Sequence, residues 1–67
     1  MKWVDVQVIA ETLFDQKPSL NPMTLRFTDL RDKVMALDGF EDTVEHCNER
    51  VLEAIQMAWL EEFQDED

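Results

Sequence analysis

The run NERVLEAIQMAWLEEF, residues 48–63, decides the fold class of this chain. Its apolar residues Val51, Leu52, Ile55, Ala58, Trp59 and Phe63 recur at three- and four-residue spacing, which places them on one face of a long helix. Asn48, or the residue before it, supplies an N-cap, because its side-chain oxygen can accept an otherwise unpaired N–H of the first turn. Beyond Phe63 the tail, residues 64–67, carries three acids in four positions and is expected to fray.

Upstream of this helix, residues 38–45 are acid-rich, hold the only glycine of the chain and lack periodicity, so they read as a loop. A second helix of about three turns precedes it, with Thr28 as cap, Leu30, Val34 and Leu37 on a shared face, and Gly39 as the stop. Pro18 and Asn21-Pro22 interrupt helical continuation, since proline turns its preceding residue away from the α region. Leu25, Arg26 and Phe27 between them form a short extended piece. A first helix runs from about Val6 to Gln16, with Asp5 as cap and Val6, Ile9, Ala10, Leu13 and Phe14 inward. The expectation is a mainly α single domain over residues 1–67. It would be a small three-helix, winged-helix-like (helix-turn-helix related) architecture with at most a rudimentary strand at Leu25 to Phe27.

Bulk properties narrow the function. The chain has 67 residues, 45% of them hydrophobic, too apolar for a disordered acidic tail. A domain of this size buries only about 60% of the surface its unfolded chain exposes, which leaves no room for an elaborate interior pocket. The net charge of −10 resides in one half: residues 1–37 carry five acids and five bases, residues 38–67 eleven acids and one base, Arg50. Such a field attracts basic protein surfaces or cations and repels nucleic acid and anionic membranes. The helix-turn-helix pattern therefore points to protein recognition rather than to DNA, because the six bases are dispersed among sixteen acids. A lone cysteine forms no internal disulfide and fits a reducing cytosol. No apolar stretch approaches the ~20 residues of a membrane span, and no basic-then-apolar export signal opens the chain. The like-charged surface favours a monomer.

Candidate chemistry is sparse. Cys47 and His46 are sequence neighbours, and neighbours on a helix start diverge by roughly 100° about the axis, which disfavours a dyad. Zinc would need more nitrogen and sulfur ligands than the chain owns. Residues 38–49 imitate a calcium loop through Asp38, Asp42 and Glu49, but Phe40 stands where an oxygen ligand belongs and Thr43 where the sharp turn demands glycine. Carboxylates one helical turn apart are the better cation candidates: Glu11 with Asp15, and Glu49 with Glu53. Any site built from them is exposed, weak and suited to hard ions such as ferrous iron, magnesium, calcium or manganese. Asp38, Glu41, Asp42 and Glu45 crowd the intervening loop, and the plain alternative for all these acids is a solvated face that keeps a small domain soluble. Trp3, Phe27, Phe40 and Trp59 read as packing residues. Met57 and Leu60 lie opposite the buried stripe, forming either an apolar contact inside an acidic rim or a seat for the N-terminal segment.

Lys2-Trp3, Arg26-Phe27-Thr28-Asp29, Leu37 to Phe40 with the following acids, Asn48-Glu49, Leu52-Glu53-Ala54-Ile55 and Trp59-Leu60 together resemble the IscX family of bacterial iron–sulfur cluster assembly operons. The resemblance covers nearly the whole chain. It implies a winged-helix-like fold without catalytic activity, binding to an IscS-type cysteine desulfurase, weak binding of Fe2+ through surface acids, and a modulating role that overlaps with bacterial frataxin and would bring competition with it. The positions carried over are Glu11, Asp15, Asp29, Glu41, Asp42, Asn48, Glu49 and Glu53. With the acid pattern, this assigns metal contacts to Glu11, Asp15, Glu49 and Glu53, and partner contacts to Asp29, Asp38, Glu41, Asp42, Glu45 and Asn48. Thr43 and Val44 dilute a longer acidic run of the family, and His46-Cys47 depart from its pattern. A different class, a small acidic carrier bearing a prosthetic group, suits the size and charge, but Ser19 lies in Pro-Ser-Leu rather than in an Asp-Ser-Leu helix start, and Thr28-Asp29-Leu30 lacks serine.

Overall fold

The structure, a computed structural model, describes residues 1–65. Three helices, α1 (Val6–Gln16), α2 (Phe27–Met35) and α3 (Glu49–Asp65), are joined by loops that each contain a single 3-10 turn, Pro22–Thr24 and Val44–His46. No strand forms among the described residues. The core gathers Trp3, Ile9, Ala10 and Leu13 with Leu30, Val34 and Leu37 of the α2 region and Leu52, Ile55 and Trp59 of α3. α1 packs chiefly on α3, and α2 closes against both.

Helix starts follow capping chemistry in one case and depart from it in two. Asn48 caps α3 as its sequence position implies: its Oδ1 accepts the Val51 N–H at 2.9 Å, and its carbonyl accepts the Leu52 N–H at 3.1 Å. Asp5 precedes α1 and its carbonyl accepts the Ile9 N–H, but its carboxylate turns back to the Lys2 N–H at 2.9 Å. α2 starts one residue before Thr28, the expected cap. Arg26 occupies the cap position, with its carbonyl accepting the Leu30 N–H at 2.9 Å. Thr28 therefore lies inside the first turn, where Asp29 complements the positive end of the helix dipole.

That shift removes the rudimentary strand expected at Leu25 to Phe27. Leu25 and Arg26 keep extended backbones, but Phe27 is already helical. The preceding turn is held locally, with Asn21 Oδ1 accepting the Met23 N–H at 2.9 Å. It is also held across the molecule: the buried Pro22 presents its carbonyl to Gln56 Nε2 of α3 at 3.2 Å. α1 stops where Pro18 demands, and the Lys17 N–H closes its last turn on the Leu13 carbonyl at 3.0 Å.

α3 carries the expected stripe, with Leu52, Ile55 and Trp59 buried and Val51, Ala58 and Phe63 half-buried. Trp59 is fully buried, and its indole N–H meets no acceptor, so its place rests on apolar contact alone. The helix continues through Gln64 and Asp65, two residues expected to fray; the remainder of that tail, residues 66–67, lies outside the described residues.

Gly39 stops no helix directly. Ala36 already ends α2, and Gly39 occupies the third position of a turn in which the Phe40 N–H reaches the Leu37 carbonyl at 3.1 Å, with φ of +82°. This is the backbone that a type II turn requires of its third residue. A Cβ at Gly39 would meet nothing within 4 Å, so a substitution there is penalised by backbone strain alone. Gly39→Ala is expected to lower stability by about 1–2 kcal/mol, which for a domain of this size shifts the thermal midpoint down by roughly 4–8 °C per kcal/mol. Melting followed by far-ultraviolet circular dichroism measures it, and an unchanged midpoint would contradict the turn assignment.

Candidate functional site

The acidic loop is organised around the buried ring of Trp3. The Met1 amino nitrogen donates to the Gly39 carbonyl at 2.6 Å, and the Glu41 N–H donates to the Met1 carbonyl at 2.8 Å. This is the bond pattern of a one-residue parallel pairing. Trp3 completes it: its indole Nε1 donates to the Thr43 carbonyl at 2.7 Å, and its ring meets Phe40 edge-on, with centroids 4.9 Å apart.

Asp42 holds this junction. Its Oδ2 accepts the Trp3 backbone N–H at 3.1 Å, while its Oδ1 accepts the Thr43 N–H at 2.8 Å and contacts His46 Nδ1 one turn later. The hydrogen bond from His46 does most to lower its pKa, the Thr43 N–H adds to this, and the carboxyl titrates at about 2 against slight opposition from burial. Its side chain is only 10% exposed. Asp42, expected from the sequence as a partner contact, thus has its carboxylate engaged within the molecule.

The remaining acids of the loop are free at the surface. Asp38, Glu41 and Glu45 are exposed and surround Asp42 in sequence. Asp29 is exposed in the first turn of α2. Asn48 is exposed as a residue, but its side-chain oxygen is occupied by the cap of α3. Glu49 and Glu53 are exposed on the first turns of α3, where with Asn48, Arg50, Ala54 and Met57 they line a shallow concavity. Met57 is therefore surface rather than core, whereas Leu60 is half-buried.

Glu11 and Asp15 are exposed one turn apart on α1. Among the described residues no three or more His, Cys, Asp or Glu side chains gather in a group that could hold a metal ion. The two carboxylate pairs, Glu11 with Asp15 and Glu49 with Glu53, do not combine into one centre. Each could offer an ion at most two neighbouring carboxylates, with the other coordination positions left to water or a partner.

Cys47 lies half-buried in a small recess with Phe27, Arg31, Val44 and Leu52. Burial raises its thiol pKa, and the nearby Arg31 charge opposes this only in part, which keeps the sulfur in its weakly nucleophilic protonated form. His46 commits Nδ1 to Asp42, so that nitrogen does not serve Cys47. Sequence reasoning missed the pairing of residues 1–3 with residues 39–43. The one local signal was Lys2-Trp3 itself, an aromatic residue placed before the first helix.

A family model described as iron-sulphur cluster assembly matches residues 1–64. A Pseudomonas aeruginosa protein described as "Uncharacterized protein PA3808" is 47% identical over 62 residues, a span covering 92% of this chain and 94% of that protein.

The lowered pKa of Asp42 sets the sign of a pH dependence. A group whose folded-state pKa lies below its unfolded value stabilises the fold above the unfolded pKa and loses that contribution as pH falls through the folded one. The stability advantage of the natural chain over Asp42→Asn is therefore expected to be full at pH 5 and to shrink between about pH 4 and pH 2. Urea unfolding of both proteins across that range measures it, and a pH-independent difference would contradict the assigned ionised carboxylate.

Proposed function

The chain belongs to the iron–sulphur cluster assembly family, and from that membership we propose that it is a non-enzymatic adaptor that binds an IscS-type cysteine desulfurase through its acidic face. The observation that supports this reading is the exposed set Asp38, Glu41 and Glu45, continued by Glu49 and Glu53 on the first turns of α3. A chain with a net charge of −10 approaches a basic surface under attraction at long range, and complementary charge then sets the docking register. Docking modulates sulfur transfer by occupying the partner's surface. No chemistry on the small protein is required, in keeping with the protonated thiol of Cys47.

The same reading gives Glu11 with Asp15, and Glu49 with Glu53, as weak sites for Fe2+, carried as cargo rather than as a resident cofactor. Two exposed carboxylates suit a hard cation and provide little selectivity. Overlap of the second pair with the docking face would make iron and desulfurase sensitive to one another, and a bacterial frataxin using a similar acidic surface would compete. On this reading the three-helix domain is a winged-helix relative turned to protein recognition, working in the cytoplasm as a monomer.

Association with a bacterial cysteine desulfurase is expected at low ionic strength and to weaken steeply as salt is added. Isothermal titration calorimetry at two salt concentrations measures it; no association at low salt would sink the adaptor reading. Glu41→Lys with Glu45→Lys should weaken binding more than Glu61→Lys with Asp65→Lys. Equal losses would indicate undirected attraction rather than a docking loop.

A further inference from the structure

Asp42 is centred in the acidic loop and is the carboxylate of that loop least open to a partner. It accepts hydrogen bonds on both oxygens, from the Trp3 backbone on one side and from Thr43 on the other, and its exposed edge is taken by His46. Its neighbours hang on the same junction. Glu41 donates its backbone N–H to Met1, and the turn that carries Glu45 is anchored at Thr43, whose carbonyl receives both the Trp3 indole and the His46 N–H.

We propose that Asp42 is a positioning residue for docking: its carboxylate holds residues 1–3 against residues 39–43 and thereby sets how Asp38, Glu41 and Glu45 are presented to a cationic protein surface. This rests on the reading of that loop as the docking region. The geometry requires reach as well as charge. Trp3 N and Thr43 N lie 3.1 and 2.8 Å from the two oxygens of a side chain with one methylene. A glutamate keeps the charge but carries its carboxylate one methylene further, away from both donors. A residue that met the partner by charge alone would tolerate that change, as long side chains adapt readily to exposed cations.

Asp42→Glu and Asp42→Asn therefore separate the two roles, with Glu45→Asp as a charge-conserving control. In the free protein, Asp42→Glu is expected to shift the Trp3 indole proton resonance and to speed hydrogen exchange at the Trp3 and Glu41 amides, while Glu45→Asp leaves all three unchanged. Wild-type exchange in Asp42→Glu would overturn the proposal. His46→Ala removes one contact only and serves if Asp42→Glu loses helix content. Smaller changes at the same amides support the latch, and none overturns it.

Titrated with the cysteine desulfurase, Asp42→Glu is expected to bind about three- to tenfold more weakly, the effect of one or two lost hydrogen bonds, with the salt dependence of the natural chain because net charge is kept. Binding equal to wild type in Asp42→Glu, with a loss confined to Asp42→Asn, would make Asp42 a direct charge contact and overturn the positioning role. Absence of any binding by the natural chain would overturn the docking reading and the presentation role with it, whereas the exchange measurements judge the latch independently.

Discussion

Burial of Trp3 is the constraint around which this domain closes. The residue precedes α1 and belongs to no helix, yet its side chain is 1% exposed and packs in the same core as Ile9, Leu30 and Trp59. An indole ring and its backbone bring polar N–H groups with them, and each would be costly to bury without a partner. Two partners come from a single stretch of loop: the Asp42 carboxylate for the backbone N–H and the Thr43 carbonyl for the indole. The loop between α2 and α3 is ordered because Trp3 needs it, and the start of the chain is ordered because the loop receives it. For a domain too small to bury a large core, this mutual arrangement recruits apolar surface from outside the helices.

The same constraint sorts the acids into engaged and exposed ones. A surface rich in carboxylates has no inherent preference for which of them meets a partner, since charge acts over distances comparable to the whole loop. Hydrogen bonding breaks that equivalence. Asp42 is occupied internally, and the side-chain oxygen of Asn48 is occupied by the first turn of α3, which leaves Asp38, Glu41, Glu45, Glu49 and Glu53 as outward-facing charges of the loop and the start of α3, with Asp29 exposed on α2. Membership in the iron–sulphur cluster assembly family and this outward set point in one direction. A protein that docks by charge gains from holding its charges still, because ordering a loop at the moment of binding reduces affinity.

The bounds of α1 and the start and buried face of α3 were legible in the sequence. α1 spans the residues that its apolar spacing and Pro18 indicate, and α3 begins at the Asn48 cap and buries the stripe of Leu52, Ile55 and Trp59. These features are local: spacing at three and four residues, one cap and one proline act within a turn or two of chain. α2 was harder. Thr28 has the better capping side chain, but Arg26 takes the position, and the half-buried Phe27 enters the helix instead of an extended strand. Intrinsic preference at a helix start is worth little against the packing of an aromatic ring on the core.

Composition and local pattern, then, determined by themselves the helical class, the start and buried stripe of α3 and the negative sign of the surface. They also carried the family resemblance that the match over residues 1–64 bears out. Only the tertiary structure decided which groups Trp3 packs and bonds with, that residues 1–3 pair with residues 39–43, and that Asp42 is a structural carboxylate among surface ones. Those contacts join positions 38 to 40 residues apart. No periodicity links such distant groups; they meet because the helices bring the two segments together and because the buried N–H groups of Trp3 gain acceptors there.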